Sequence, residues 1–309
     1  MKTVISQDEL QEFLQGIFGT KVKIADQKIA NQQHDYLVLI VQLRSPSMHL
    51  VVKLAGPEAW MAASFERTAM FHHLVAANTS IPMPEILAVN TSYQTWPWRY
   101  MIKTFIPGQE WAIVRQQMND AQLANAYHQI GSAVAKLHAI RFPTFGEPGI
   151  DGIVPGSDSY LTSLIERVRC SISSPHLRDL FYSVLEKRKF LFLDVHQASL
   201  CHEDLHGHNL IFQFHQNRWR LAAILDFDKA WSGHNEIDLA RMEFWKGMTS
   251  KDFWVAYKAI HPIEPLYEQR RPIYQLQWCF EYARMTPEHL ADTRLLCAEL
   301  GLPELENFQ

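Results

Sequence analysis

The stretch LCHEDLHGHNLIFQFHQNRWRLAAILDFDKA, residues 200 to 230, combines charged and amide side chains with two short apolar runs. His202, Asp204 and Asn209 follow the spacing H-x-D-x-x-x-x-N, and the segments LIFQF and RLAAIL flank the polar residues HQNRW. Two apolar runs around a short polar turn predict a β-hairpin. Because a hairpin brings its two ends together, Asn209 before the first strand and Asp226 after the second should lie side by side, near Asp204.

Three oxygen-bearing side chains of this stretch are candidate metal ligands, namely Asn209, Asp226 and Asp228. Hard oxygen ligands that converge on one point suit Mg²⁺, which binds through one or two protein oxygens and leaves positions for substrate phosphates. Asn209 and Asp226 are the expected pair. Asp228 has two interpretations, as a ligand of a second metal or as a cap of the following turn.

The run ILDFDKA, the continuation SGHNEIDLA and the preceding H-x-D-x-x-x-x-N spacing together resemble the protein-kinase-like superfamily. The similarity is greatest to the aminoglycoside phosphotransferase branch, which includes choline and fructosamine kinases. The resemblance implies a small-molecule kinase that uses ATP or GTP with Mg²⁺. It implies that Asp204 orients or deprotonates the acceptor hydroxyl, that His202 and Asp238 support the loop, and that Asn209 and Asp226 hold the metal. Glu203 departs from the glycine that most members carry.

Three β-rich runs, KVKIA, YLVLIVQL and HLVVKLA, precede this region, and polar turns at residues 26 to 35 and 44 to 47 separate them. They predict an antiparallel meander, after a helix at residues 7 to 18. A further helix is expected at residues 57 to 77. In the resemblance, Lys53 contacts the α and β phosphates and Glu66 of that helix holds it. From the residues alone, the less favoured interpretation of Lys53 is a solvating charge on an edge strand.

A glycine-rich loop is missing between the first two strands, where Asn31, Gln32, Gln33 and His34 stand instead. Glycine is what lets a backbone approach phosphates closely. We therefore expect polar side chains to replace some of these backbone contacts.

The segment RYMIKTFIPGQEW, residues 99 to 111, predicts a strand followed by a turn at Pro107 and Gly108. The resemblance makes it the link between two lobes, with backbone atoms of Lys103, Thr104 and Phe105 facing the nucleotide base. We expect an α+β, bilobal protein-kinase-like fold. A small antiparallel β-sheet lobe at residues 1 to 104 would bind the nucleotide, and a larger, mainly helical lobe at residues 105 to 309 would carry catalysis and bind the acceptor.

Helical spacing dominates the second half of the chain. A helix is expected at residues 121 to 140, where His138 reads as a packed core histidine, and a long irregular connection at residues 141 to 159. Further helices are expected at residues 160 to 170, 175 to 192, 236 to 247, 251 to 259 and 273 to 284.

Composition excludes several classes of protein. The 309 residues are 47% hydrophobic and 20% charged, with a net charge of -4, which predicts two lobes and no nucleic-acid partner. No run reaches the roughly 18 apolar residues of a membrane helix, and the first dozen residues carry acids rather than a signal peptide. We therefore expect a cytoplasmic protein without a membrane partner. The cysteines are spaced as buried thiols rather than disulfides: Cys170, Cys201, Cys279 and Cys297.

Two other classes of function are compatible with parts of the sequence. Cys201, His202, His206 and His208 lie close together in sequence and could bind zinc, but a structural zinc site normally takes four ligands from two separated knuckles. A noncatalytic nucleotide-binding pseudokinase would explain the missing glycines. The complete set of lysine, glutamate, asparagine and aspartates argues against it, and ADP release in the presence of an acceptor would decide.

The acceptor is the least determined part. Acidic and aromatic residues near the motif indicate a hydroxylated small molecule, such as an aminoglycoside, an amino alcohol or a sugar. The candidate contacts are Glu203, Trp231 and Glu236, and further residues expected at the cleft are Asp228, Trp245 and Trp278.

Overall fold

The computed structural model describes residues 5 to 59 and 64 to 308. It begins with helix α1, Gln7–Phe18, where the apolar stripe predicts one. Ser6 and Glu9 form a capping box, in which the Ser6 backbone N–H donates to Glu9 Oε2 at 2.8 Å. The buried residues of α1 are Leu10, Phe13 and Leu14.

An antiparallel sheet of five strands follows, in the spatial order β1-β2-β3-β5-β4. The strands are β1 (Lys23–Gln33), β2 (Tyr36–Ser45), β3 (Met48–Ala55), β4 (Ile86–Asn90) and β5 (Arg99–Thr104). The predicted meander is confirmed, but the expected turn at residues 26 to 35 is wrong, because residues 26 to 33 extend β1 along β2. Ladder pairing satisfies the backbone of this segment, and an exposed edge strand needs no apolar pattern.

The two faces of the sheet have different partners, because successive side chains of a strand point to opposite sides. One face packs on α1 and carries Leu37, Leu39, Leu50, Val52 and Leu54. The other face carries Tyr36 and Met101, together with Lys53, which lies opposite Val38 and Met101 in the neighbouring strands. Lys53 is therefore buried on the face that looks toward the cleft and not on a solvated edge.

Helix α2, Phe65–Asn78, joins the sheet to the rest of the chain. Phe65 packs on the cleft side of the sheet, whereas Phe71 and Val75 belong to the core of the helical part. The sequence predicted a helix from residue 57, but residues 60 to 63 lie outside the described residues. The helix begins after Ser64, whose side chain accepts a hydrogen bond from the Arg67 backbone N–H.

The helical part begins after β5. Its elements are β6 (Gln109–Glu110), α3 (Trp111–Val114), α4 (Asp120–His138), β7 (Arg141–Phe142), α5 (Tyr160–Ser171), α6 (Pro175–Arg188), β8 (Ala198–Cys201), β9 (Leu210–His215), β10 (Arg218–Ile224), β11 (Trp231–Gly233), α7 (Glu236–Phe244), α8 (Lys251–Lys258), α9 (Tyr267–Tyr282) and α10 (Pro287–Leu300). Two small sheets have the orders β10-β9-β6 and β11-β8-β7. The small β-sheet lobe and the larger helical lobe of the predicted fold are confirmed.

The C-terminal helices differ from the prediction. Helix α9 begins at Tyr267 and contains Pro272, although the sequence placed its start after this proline. Buried contacts of its first turns, including the ion pair of Arg270 with Glu236, outweigh the lost backbone hydrogen bond. Helix α10 was not predicted, since its apolar residues do not form a clear stripe. Thr286 at its N-cap and Gly301 at its C-cap are the signals that could have found it.

Among the described residues, none of the helices has the length and apolar character needed to cross a membrane.

Candidate active site

The hairpin β9–β10 brings the ends of the motif together. Leu210 pairs with Ile224, and the Leu225 backbone N–H donates to the Asn209 carbonyl at 2.8 Å. Asn209 and the residue before Asp226 are thus directly hydrogen bonded, as the sequence predicted. A register shift between Leu221 and Ala223 is the one irregularity of this ladder.

The loop that carries Asp204 is fixed from behind by helix α7. Asp238 accepts hydrogen bonds from the backbone N–H groups of His202 at 2.7 Å and Glu203 at 2.6 Å. His138 Nε2 lies 3.1 Å from the same carboxylate, so this core histidine also braces the loop. Burial acts to raise the pKa of Asp238, but the hydrogen bonds and nearby histidines outweigh it and lower that pKa.

His202 connects the loop to the metal motif. Its Nε2 lies 2.9 Å from the Leu225 carbonyl, and its ring packs on Phe227 with the centroids 4.4 Å apart. These contacts fit the supporting position that the sequence assigned to this residue.

Asp204 lies among polar groups at the start of the hairpin. Asn209 Nδ2 donates to the Asp204 carbonyl at 2.8 Å, His206 Nε2 is 3.6 Å from Oδ2, and the Tyr282 hydroxyl is 3.4 Å from Oδ1. Burial acts to raise the pKa of Asp204, but the hydrogen bond from His206 and the charge of Lys229 outweigh it and lower the pKa. The side chain is therefore a carboxylate at neutral pH.

Lys53 reaches across the cleft to the two aspartates of the metal motif. Its Nζ is 2.8 Å from Asp226 Oδ1 and 3.2 Å from Asp228 Oδ2, and Thr68 of α2 donates to Asp228 Oδ1 at 2.7 Å. The charge of Lys53 lowers the pKa of Asp226, whereas burial raises that of Asp228. Burial opposes the charge on Lys53, but the two carboxylates raise its pKa well above the usual value.

The predicted partnership of Lys53 with Glu66 is not what the structure shows. Glu66 accepts a hydrogen bond from the Thr91 hydroxyl instead, and Lys53 pairs with Asp226 and Asp228. Asp226 and Asp228 follow β10 on the opposite wall of the cavity that Lys53 lines, and together they carry more negative charge than Glu66. This electrostatic preference explains the difference.

A cavity of about 620 Å³ opens between the two lobes. Its walls include the sheet residues Tyr36, Val38, Ile40 and Lys53, the link residues Lys103, Thr104, Phe105 and Ile106, and the motif residues Asn209, Asp226 and Asp228. Burial, and to a smaller extent the positive charge of Lys53, lower the pKa of Lys103 to about 8. The structure thus brings to one cavity nearly all the residues that the sequence assigned to nucleotide and metal, with Glu66 as the exception.

Two backbone N–H groups of the link donate hydrogen bonds within the protein. The backbone N–H of Thr104 donates to the Glu85 carbonyl at 2.9 Å, and that of Phe105 to the His49 carbonyl at 3.0 Å. Both donors are therefore engaged within the small lobe. Ile106, which the sequence analysis missed, also lines the cavity and directly follows them.

Two carboxylates predicted to contact the acceptor are instead buried ion-pair partners. Glu203 is 1% exposed and pairs with Arg167, whose Nε donates to Oε2 at 3.0 Å, and with Arg241. Glu236 is fully buried, and Arg270 donates to its two oxygens at 2.6 and 2.7 Å. The expectation that these side chains face an acceptor is wrong, because each is committed to an arginine inside the core.

The three predicted tryptophans have different positions. Trp231 is 1% exposed, and the Arg167 guanidinium lies over its ring at 4.7 Å from the centroid. Trp245 and Trp278 are partly buried and pack edge to face, 5.7 Å apart, with Tyr282 beside Trp278. The latter two therefore approach Asp204 through Tyr282.

Three residues near Asp204 were missed by the sequence analysis. His206 lies inside the motif, and its place two residues after Asp204 is a signal that could have found it. Lys229 donates to Glu281 Oε1 at 3.1 Å and to the Tyr282 hydroxyl. Nothing local in the sequence indicates Tyr282, since it comes from α9.

The residues considered for zinc have other partners. Cys201 is fully buried on β8, His202 contacts the Leu225 carbonyl, and His208 Nδ1 is 2.5 Å from Glu110 Oε2. In the described part of the chain, the one group of three ligand atoms that converges belongs to His234, Glu236 and Glu264. Arg270 pairs with both glutamates of that group, so its charge is already balanced.

A two-lobed fold, a strand lysine on the cleft face and an H-x-D-x-x-x-x-N loop beside a second aspartate define the class of kinase-like phosphotransferases. The chain belongs to the phosphotransferase enzyme family denoted APH, whose model matches residues 28–273. The protein is accordingly a phosphotransferase that acts on hydroxyl groups of small molecules. A search of the curated proteins found no match.

Solved structures of the same fold are distant in sequence. A thermostable mutant of the aminoglycoside phosphotransferase APH(4)-Ia, in a ternary complex with AMP-PNP and hygromycin B, has a TM-score of 0.65 and 14% identity over 94% of this chain and 96% of its own. A putative fructosamine-3-kinase from Haemophilus somnus has a TM-score of 0.65 and 16% identity over 94% and 96%. The Plasmodium vivax ethanolamine kinase has a TM-score of 0.56 and 16% identity over 92% and 83%.

Proposed function

We propose that the protein transfers the γ-phosphoryl group of ATP or GTP to a hydroxyl of a small acceptor. The observation that carries the proposal is the cluster of Lys53, Asp226 and Asp228 at the cavity between the lobes, with Asn209 at the same cavity and Asp204 next to Asn209. The complex of APH(4)-Ia with AMP-PNP supports a nucleotide as the phosphoryl donor.

The donor set at the cavity fits Mg²⁺. The Asn209 Nδ2 donates a hydrogen bond to the Asp204 carbonyl, so the amide oxygen of Asn209 points away from Asp204. The Asp226 side chain lines the cavity and is 39% exposed. These are hard oxygen ligands. Asn209 and Asp226 would hold the ion, with Asp228 as a further ligand, and the bound ion would neutralise phosphate charge.

The protein residues divide the remaining work. Lys53 is a buried cation that can hold the α and β phosphates once they compete for its ion pairs. Asp204 is a carboxylate placed to orient the acceptor hydroxyl and accept its proton. Residues 1 to 104 would form the nucleotide-binding lobe and residues 105 to 309 the catalytic lobe. We place the reaction in the cytoplasm, where nucleoside triphosphates are supplied.

Nucleotide recognition takes place without a glycine-rich loop. Ala30 and Asn31 at the end of β1 line the cavity, so the Asn31 side chain is placed to replace a backbone contact to phosphate. At the link, the base would contact the Thr104 carbonyl and the Ile106 backbone, because the N–H groups of Thr104 and Phe105 are engaged.

ADP release measured by a coupled assay with ATP, MgCl₂ and a panel of hydroxylated small molecules tests the proposal. Asp204→Asn should remove transfer while nucleotide binding persists. Asp179→Asn, an exposed aspartate on α6, is the matched control and should keep full activity. If nucleotide bound with Mg²⁺ but no panel member accelerated ADP release in any variant, the pseudokinase alternative would be favoured.

A further inference from the structure

A second cavity, of about 570 Å³, lies on the other side of the metal motif. It is bounded by α5, by residues 145 to 157 and by residues 228 to 231, and Asp228 lines both this cavity and the nucleotide cavity. Lys229 and Glu281 line it as well, and Lys229 contacts Tyr282, whose hydroxyl is 3.4 Å from Asp204. A ligand here would therefore lie beside Asp228, and the contacts of Lys229 with Tyr282 and of Tyr282 with Asp204 connect this cavity to the Asp204 carboxylate. We call it the α5 cavity.

The carboxylates of the α5 cavity are already paired with cations of the protein. One carboxylate oxygen of Glu147 forms an ion pair with Arg67 Nη1 at 2.8 Å, and the other forms an ion pair with Arg167. Glu281 receives Lys229 at 3.1 Å and Arg241 at 3.0 Å. Asp228 forms an ion pair with Lys53 and accepts a hydrogen bond from the Thr68 hydroxyl. At the rim, Glu166 forms an ion pair with Arg169 at 2.8 Å.

The aromatic surface of the α5 cavity is also occupied. The Arg167 guanidinium covers Trp231, 4.7 Å from its centroid, which is the position a ligand ammonium group would take on that ring. A cationic ligand would have to displace an arginine from a carboxylate or from the tryptophan. An anionic ligand would have to displace a carboxylate from Arg67, Arg167 or Lys229 in the same way.

Hydroxyl groups of the lining residues are available to bind a ligand. Ser157, Thr162 and Ser171 line the cavity, and the Ser171 Oγ is shielded from solvent without a hydrogen-bond partner in the described part of the chain. Paired carboxylates and guanidinium groups can each still form a hydrogen bond with a neutral hydroxyl at little electrostatic cost.

We infer that the acceptor is an uncharged polyhydroxylated molecule that binds in the α5 cavity, and not a polycationic aminoglycoside. The location of the acceptor in this inference rests on the proposed kinase function, whereas its lack of charge is inferred from the ion pairs of the cavity. The cavity balances its own charges, so net charge on an acceptor is a disadvantage.

Matched pairs of acceptors with the same hydroxyl pattern and different charge test the inference. Each pair is an amino sugar or aminoglycoside and its fully N-acetylated derivative, assayed at a pH at which the amines are protonated. We expect kcat/KM for ADP release to be at least about tenfold higher for the uncharged member. An unpaired charge on the acceptor, next to groups that are already paired, should weaken its binding by about tenfold. Preference for the amine in the wild-type protein would overturn the inference.

Binding measured separately from transfer keeps the two proposals distinguishable. Calorimetry with Asp204→Asn and ADP reports which member of a pair binds, whether or not phosphoryl transfer occurs. Binding of the uncharged member without transfer in the wild type would contradict the kinase function and support the acceptor class. Absence of binding by both members would overturn the assignment of this cavity.

An arginine variant adds a test in the opposite direction. Arg67→Gln frees one oxygen of Glu147 at the cavity and leaves the buried pair of Arg167 and Glu203 intact. The ratio of kcat/KM for the amine to that for its N-acetyl partner should rise roughly fivefold. Arg44→Gln, an exposed arginine at the end of β2, is the matched control and should leave the ratio unchanged. An unchanged ratio in Arg67→Gln would contradict the electrostatic argument.

Discussion

Glu203 offers the sharpest test of how the catalytic loop is held. It has a φ of 60°, which costs an L-residue about 1 kcal/mol, and its carboxylate lies between Arg167 and Arg241. Removing one partner of a buried ion pair costs about 3–5 kcal/mol. Because Arg167 keeps Glu147 and Arg241 keeps Glu281, we expect the lower end, about 3 kcal/mol, for Glu203→Ala.

Glycine at this position separates the two contributions. Glu203→Gly loses the same carboxylate but relieves the positive φ, so it should be destabilised by about 2 kcal/mol, less than the alanine variant. Urea denaturation followed by tryptophan fluorescence gives both free energies of unfolding. Both variants should also lower kcat more than they raise KM, since Glu203 directly precedes Asp204.

The control for these variants is Glu186→Ala. Glu186 is exposed on α6 and pairs with Lys189 at 2.7 Å, a surface pair whose loss should cost less than about 0.5 kcal/mol. A loss below about 1 kcal/mol for Glu203→Ala, or a glycine variant less stable than the alanine variant, would refute the reasoning.

Three further predictions follow from the site. Asp204→Ala should abolish phosphoryl transfer and leave nucleotide binding largely intact, whereas Asp226→Ala should remove metal-dependent nucleotide binding, and equal losses of binding in calorimetry would contradict this division. Lys53→Met should lower kcat/KM by more than about a hundredfold and Glu66→Gln by less than tenfold, because Lys53 pairs with the aspartates, and similar losses in both would restore Glu66 as the partner. Burial, aided by nearby lysines, lowers the pKa of His72 to about 2, so below its unfolded pKa the unfolded state binds more protons and stability falls. The loss of unfolding free energy between pH 7 and pH 5 should therefore be smaller by about 2 kcal/mol in His72→Leu than in the wild type. An unchanged pH dependence of the urea midpoint would argue against a neutral buried histidine.

The geometry of the cavity between the lobes could be predicted well from the sequence. The hairpin pattern specifies that Asn209 and Asp226 meet, because strand pairing fixes the separation of its two ends. Period-two alternation in β2 and β3 specifies that Lys53 shares a face with Tyr36 and Val38. These relations depend on local backbone geometry, and for this reason they are visible in a linear pattern.

The acceptor side could not be predicted in the same way. Glu203 and Glu236 look like free acids in the sequence, and their partners Arg167, Arg241 and Arg270 come from other helices. Which cation neutralises which carboxylate depends on helix packing. The sequence therefore indicated an acidic pocket where the folded chain has balanced charges.

The sequence by itself determined the two-lobed fold, the hairpin that brings Asn209 and Asp226 together, and the position of Asp204 beside Asn209, since each depends on residue spacing along the chain. Tertiary structure alone decided that Lys53 pairs with the aspartates and not with Glu66, and that Tyr282 reaches Asp204. It also decided that the carboxylates of the α5 cavity are neutralised. The physical reason is that electrostatic pairing acts through space between side chains far apart in the chain, and only the folded backbone sets those distances.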